Sequence, residues 1–499
     1  MNQEVGIVKE IKDFLILLEG LPNVQVGEIV ESESGVKCLV NNLLPDYVEV
    51  LQLTEGAVSP KQIFARTGKG VSILASKDLI GRTINPLAQP LDQLDPIPAA
   101  NSQPTPLNQA AYGIEHREFI KEQFDTGITV IDTLIPIGKG QRELVVGDAR
   151  SGKTSFLIDT IINQKHTGVI CIYAIIGKPL GDVQQLMEKL PTADALKHSI
   201  IVAATSNDLP PLIHITPKAA MSLAEYFRSQ GKDVLLILDD LGIHAKIYRE
   251  ISLLGNKSPG RESYPGDIFY QHAHILERAG NFNSSIGGGS ITALPTMEIN
   301  LNDLTTFVPT NLMAMTDGHL LFKASISNQG RRPAVDIGLS VSRVGRQTQN
   351  RVQNALSTRI RQVLAQADQL ETVSRFSFDL PQATQVILRQ KDFIMELIKQ
   401  DSLSYIPKEI QTVLLALAFT SLSHQNSLGF IKTNHTNLIR AFYEDAMLSS
   451  ISKSTFQLAS DQALINQLEN LINYIQGISQ HNGGYQPANN SAKKIEKSS

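Results

Sequence analysis

Apolar and polar positions divide this chain into three stretches before any motif is considered. Short strand-like runs at Glu4–Val8, Phe14–Leu18, Val36–Val40 and Tyr47–Leu51 are punctuated by Gly20, Gly27, Gly35 and Gly56. That spacing predicts a small antiparallel barrel or sandwich over residues 1–75. From 76 to 350 aliphatic runs mix with helical spacing. Glu143–Val146 suits a short buried parallel strand and Ser155–Gln164 has helical apolar spacing, while Val234–Leu238 is an unbroken aliphatic run, as a strand covered on both faces requires. This stretch predicts an α/β core. From 351 glycine becomes scarce and helical periodicity dominates, as in Val386–Ile398, Ile410–Leu422 and Thr436–Leu448, which predicts a helical bundle over 351–480. The tail, 481–499, is rich in Asn, Gly, Ser and Lys and predicts disorder.

Composition narrows the picture. A length of 499 residues is enough for about three domains with ample core. The net charge of −4 argues against a dominant nucleic-acid footprint. Cys38 and Cys171, the two cysteines of the sequence, fit buried structural positions in a reducing compartment and supply no disulfide framework. The start has no charged-then-apolar signal, and no apolar run approaches the ~20 residues that span a bilayer. Membrane association is therefore expected through partners.

Candidate chemistry sits in the α/β stretch. Gly147–Thr154 reads GDARSGKT, a G-x-x-x-x-G-K-T loop between a strand and a helix. Gly147 and Gly152 allow close backbone approach, so the N–H groups along Asp148, Ala149, Arg150 and Ser151 and the helix N-terminus can converge on phosphate oxygens. Lys153 supplies charge at the outer phosphates, and the Thr154 hydroxyl falls where Mg2+ would sit. A chance glycine turn with a solvated lysine is the plainer alternative; the flanking strand and helix favour nucleotide. The run Val234–Leu238 ends in Asp239 and Asp240. In an open α/β sheet that edge binds ligands, so Asp239, with Asp240 as neighbour, is the candidate to hold Mg2+ through water.

A long ordered series of segments resembles the alpha subunit of the F-type ATP synthase. It includes DTGI at Asp125–Ile128, PIGKGQREL at Pro136–Leu144, the loop itself, Asp239-Asp240-Leu241 with Tyr248-Arg249, SPGRESYPGDIFY at Ser258–Tyr270, LERAG at Leu276–Gly280, GSITALP at Gly289–Pro295 and GLSVSRVG at Gly338–Gly345. The resemblance spans about Glu4 to Ser450 and is most specific in the core. It implies an N-terminal β-barrel, a central RecA-like P-loop domain and a C-terminal α-helical bundle, binding ATP or ADP with Mg2+. It further implies an alternating hexamer with beta-type catalytic subunits around a central shaft, stator contacts, indirect attachment to an ion-translocating membrane sector at the cytoplasmic face of a bacterial inner membrane, and no nucleic acid. Arg343 then corresponds to an arginine finger reaching a neighbouring catalytic site, a role that suits a planar, permanently charged fork; a surface arginine paired with a local carboxylate is the alternative. Ser340 and Ser342 belong with it as loop-positioning groups, and Gln400 as a base or ribose contact.

Several positions depart from that pattern. Cys171–Lys178 resembles the strand whose end carries glutamate in beta subunits and usually glutamine in alpha subunits. A charged Lys178 cannot accept a proton from water, and losing a positioned base costs about 10² to 10⁴ in rate. Ala149 and Arg150 replace arginine-then-glutamine, and Lys399–Tyr405 keeps only Gln400 of two adenine-side glutamines. The chain also opens at its first barrel strand, without a helical stator-binding extension of roughly 25 residues, which suggests a divergent or secondary version of the enzyme with a simplified stator. The expectation is a non-catalytic nucleotide-binding subunit. A self-contained homohexameric secretion-type or Rho-type ATPase is the alternative, and it requires a carboxylate near position 178. RNA stacking would also need aromatics among basic residues, and the first 75 residues contain Phe14, Tyr47 and Phe64 without a matching basic stripe.

Overall fold

The computed structural model describes residues 4–300, 303–374, 381–423 and 428–481; apart from His481, the tail predicted to be disordered lies outside them. Six strands close into a barrel in the order Val5–Lys12, Leu15–Gly20, Val48–Gln52, Lys37–Leu43, Glu28–Ser32, Ile63–Gly70. Every neighbouring pair is antiparallel, and closure leaves no open edge. Val8, Ile16, Leu18, Val30, Val40, Val50 and Phe64 fill it. Between barrel and sandwich, the chain therefore forms the barrel. Two of its strands, Glu28–Ser32 and Ile63–Gly70, are less apolar than the rest. Their polarity is satisfied across the ladder, where the Arg66 guanidinium donates to both carboxylate oxygens of Glu28 at 2.8 Å.

The barrel shares one compact unit with a nine-stranded sheet. Across the sheet run Val341–Ser342, Gly318–Phe322, Glu143–Gly147, Ser290–Glu298, Val234–Asp239, Ile170–Lys178, Ser199–Thr205 and Thr83–Ile84, with Gly280–Asn281 paired onto Ser290–Glu298. The pairings are parallel except for the edge strand Val341–Ser342 and for Gly280–Asn281. Val234–Asp239 is buried throughout, and so is Ile170–Lys178 up to its last residue, as helices packed on the sheet demand. Register aligns the carboxyl ends: Gly147 lies opposite Glu298 on one side and Phe322 on the other, and Asp239 lies opposite Ile175.

The second unit is helical. It contains Arg351–Ser374, Gln382–Leu397, Lys408–Ala416, Leu428–Glu444, Ala446–Ser454, Asp461–Glu469 and Ile472–His481, and it also takes in the short helix Thr129–Leu134 from far upstream. Asp132 fixes that short helix, its buried carboxylate accepting from the Gly127 N–H and from Gln411 Nε2. Two predicted helices are interrupted. Thr436–Leu448 spans two helices, because the Asp445 carboxylate accepts from the Met447 and Leu448 N–H groups and starts a new one. Ile410–Leu422 gives way after Ala416 to single 3₁₀ turns, Leu417–Phe419 and Ser421–Ser423.

Candidate functional site

The phosphate loop leaves its strand at Gly147 and enters the Lys153–Asn163 helix through Gly152, whose φ of 96° is left-handed. Gly147 answers a different need: a β-carbon there would stand 2.1 Å from the Phe322 carbonyl oxygen of the adjacent strand. Asp148 turns its carboxylate sideways to accept the Ala324 N–H at 3.0 Å, and Ser151 Oγ donates to the Asp148 carbonyl at 2.7 Å. Ala149 and Arg150 are exposed, Arg150 at a positive φ of 57°. Lys153 Nζ donates to the carbonyls of Gly147 (2.9 Å) and Asp148 (2.6 Å) and lies 3.6 Å from Glu298. Burial, the largest influence, pulls its ammonium below the usual lysine range, opposed by Glu298, Asp240 and Asp239 and assisted by Lys178. Thr154 is half-buried in the first helical turn.

The neighbouring strand ends bring charged groups together that are far apart in sequence. Asp239 Oδ2 accepts from the Tyr173 hydroxyl and from Lys178 Nζ, each at 2.6 Å, and Oδ1 accepts from the Thr296 hydroxyl at 2.5 Å. Burial works against the Lys178 charge, yet the field and hydrogen bond of Asp239 raise its ammonium above the usual lysine value. Asp240 caps the Leu241–Leu254 helix through the N–H groups of Gly242 and Ile243 and also accepts the Glu298 N–H at 2.6 Å. Burial, with Asp239 adding to it, pushes its carboxyl up to about 6. For a divalent ion the fit is therefore partial. Thr154 brings a hydroxyl to the first helical turn after the loop, but Asp239 has an ammonium in contact and three of its roughly four acceptor positions filled.

Arg343 leaves the edge of the same sheet and is exposed. Its Nη1 donates to the Thr316 carbonyl at 3.3 Å. The adjacent carboxylate, Asp317, is engaged by Arg142 through Nε (3.0 Å) and Nη2 (2.8 Å), and among the described residues Arg343 forms no ion pair. Ser340 Oγ is buried and accepts the Leu321 N–H at 2.9 Å; Ser342 Oγ donates to the Pro136 carbonyl at 2.6 Å and accepts from Gln141 Nε2 and the Gly345 N–H. In the helical unit, Gln400 gives its oxygen to the N–H and hydroxyl of Thr129 and its nitrogen to the Gly127 carbonyl.

Sequence reasoning missed Glu298, the exposed carboxylate beside Lys153, although it ends an apolar strand just as Asp239 does. It also missed Tyr173 and Thr296, whose hydroxyls look like ordinary strand residues until the sheet aligns them with Asp239.

A glycine loop running from a buried strand into a helix, with charged strand ends along the carboxyl edge of a parallel sheet, defines a P-loop nucleotide-binding protein. Residues 127–342 match the nucleotide-binding domain of the ATP synthase alpha/beta family, and residues 349–474 match the C terminal domain of the ATP synthase alpha/beta chain. The chain is similar to the ATP synthase subunit alpha of Caldanaerobacter subterraneus subsp. tengcongensis, 40% identical over 83% of this chain and 82% of the relative, and to that of Staphylococcus aureus, 41% identical over the same shares. ATP synthase subunit alpha 1 of Mycoplasmopsis pulmonis is 37% identical over 98% of this chain and 92% of its own length. The chain belongs to the ATP synthase alpha/beta family, on the side of its alpha subunits.

Proposed function

We propose that this chain is the non-catalytic, regulatory nucleotide-binding subunit of a rotary ion-translocating ATP synthase, alternating in a hexameric head with beta-type catalytic subunits and lending them Arg343. Gly147–Thr154 bind the phosphates of ATP or ADP, Lys153 offsets their charge, and magnesium arriving with the nucleotide meets Thr154, with Asp239 in the strand edge behind it. The observation that carries this assignment is Lys178. A charged ammonium, 2.6 Å from Asp239, stands where catalysis needs a carboxylate to take a proton from water. An exposed Arg343 without an ion-pair partner among the described residues supports the outward role, since a guanidinium already matched by a carboxylate has less charge to offer a phosphoryl group. Rotation of a central shaft, driven by ions crossing a separate membrane sector, would couple to synthesis at the partner sites. Stator subunits would hold the head at the cytoplasmic face of a bacterial inner membrane. Among the described residues no helix is long and apolar enough to cross a membrane.

One observation favours a second reading, a self-contained ATPase: Glu298 ends the neighbouring strand 3.6 Å from Lys153 and could serve as the missing base. The two are separated by ATP turnover of the full-length chain, alone and mixed with a beta-type subunit. Negligible turnover alone and high turnover in the mixture, lost with Arg343→Ala, supports the first. Turnover by the chain alone, lost with Glu298→Gln, supports the second.

A further inference from the structure

Positive charge that phosphate sites usually take from a solution cation is here partly supplied by the chain. Asp239 is buried at the end of its strand, with Lys178 Nζ and the Tyr173 hydroxyl on one oxygen and the Thr296 hydroxyl on the other. Asp240 is equally occupied, holding the N–H groups of Gly242, Ile243 and Glu298. Magnesium demands near-ideal octahedral geometry and gains much of its affinity from carboxylate charge beside substrate phosphates. Neither aspartate offers an unmatched charge and an open coordination face. The ammonium on Asp239 ends its strand at the same carboxyl edge of the sheet from which the phosphate loop leaves, and Lys153 lies there on the Gly147 and Asp148 carbonyls, so two cations stand along one edge.

We infer that this chain retains a nucleoside di- or triphosphate with little dependence on magnesium, the Lys178 ammonium seated on Asp239 providing the charge that a divalent ion provides in related sites. This rests on the assignment of Gly147–Thr154 as the nucleotide loop. It accounts for the pairing of lysine with the strand-end aspartate, which a glutamine at position 178 could not neutralise.

The test is equilibrium binding of radiolabelled ATP to the full-length chain with magnesium in excess and with EDTA in excess. The expected affinity loss on chelation is no more than about threefold for the natural chain and about tenfold or more for Lys178→Gln, a difference set by one unit charge near polyphosphate. Because Lys178→Gln leaves a buried carboxylate without its cation, thermal melting accompanies it, and Lys178→Arg serves as the charge-preserving variant expected to stay insensitive to EDTA. A loss clearly greater than about threefold in the natural chain overturns the inference while leaving the nucleotide assignment standing, and needs no variant. A folded Lys178→Gln as indifferent to EDTA as the natural chain also overturns it. No binding in either medium removes the nucleotide assignment and the inference together.

Discussion

The phosphate loop and the arginine loop leave the same sheet and treat their charges in opposite ways. Beside the loop of Gly147–Thr154 the buried charges are met within the chain: Lys153 lies on two backbone carbonyls, Lys178 on Asp239, and Asp240 on three backbone N–H groups, while Arg150 on the loop itself is exposed. At the other, the neighbouring serines are engaged and the guanidinium of Arg343 touches one carbonyl. A region whose charges answer one another is suited to holding a ligand still. One whose scaffold is fixed while its charge stays exposed is suited to acting on something outside the chain.

The largest effect expected from breaking this contrast is at Arg343. Arg343→Ala should lower ATP turnover by the assembled head by about 10³ to 10⁵, with ATP binding at this chain's own loop unchanged; a steady-state assay and a binding titration read the two halves. Lys153→Ala should do the reverse, weakening nucleotide binding by roughly tenfold to a hundredfold through the loss of hydrogen bonds to charged oxygens, and altering turnover by the assembled head far less.

A smaller, pH-dependent effect lies in the helices Pro210–Arg228, Leu241–Leu254 and Ile268–Leu276. His214, His244 and His272 are buried there, with His244 Nδ1 3.0 Å from His272 Nε2. Burial holds all three below the usual histidine value, His272 at about 4. A depressed folded-state value contributes stability above the unfolded value, and that contribution is lost as pH falls toward the folded one. Denaturant unfolding of His272→Gln should therefore lose less stability than the natural chain between pH 7 and pH 5, by about 2 kcal/mol. Asp159 and Asp240, both raised to about 6 by burial, act in the opposite sense in both proteins and cancel in the difference. The smallest effect is expected at Ser342→Ala, about 1 kcal/mol for a half-buried hydrogen bond to the Pro136 carbonyl. It should leave nucleotide binding intact and lower turnover of the assembled head through a looser Arg343.

How much of this was legible in the sequence follows from distance along the chain. The phosphate loop was readable because Gly147, Gly152, Lys153 and Thr154 are local and bounded by an apolar strand and a helical pattern. The barrel was readable from alternation and glycine punctuation, except where Arg66 and Glu28 compensate each other across strands. The reason for Gly147 was not: close approach to phosphate explains a glycine there equally well, and only the neighbouring strand reveals Phe322. Asp239 was recognised as a strand-end carboxylate, but its partners Tyr173, Lys178 and Thr296 are brought to it by register between strands 57 to 66 residues apart. Gln400, which the family resemblance offered as a base or ribose contact, has its amide on Gly127 and Thr129, contacts spanning more than 270 residues. The break at Asp445 could have been found, since an aspartate before an apolar helical stretch is an ordinary cap signal.

The most direct test is the fate of ATP on this chain alone. With ATP bound to the full-length protein in the absence of any beta-type subunit, rapid-quench sampling should find the triphosphate intact over times in which an assembled head completes many turnovers. Conversion of the bound ATP to ADP at a rate matching the head, abolished by Glu298→Gln, would contradict the account and place a working catalytic base beside Lys153.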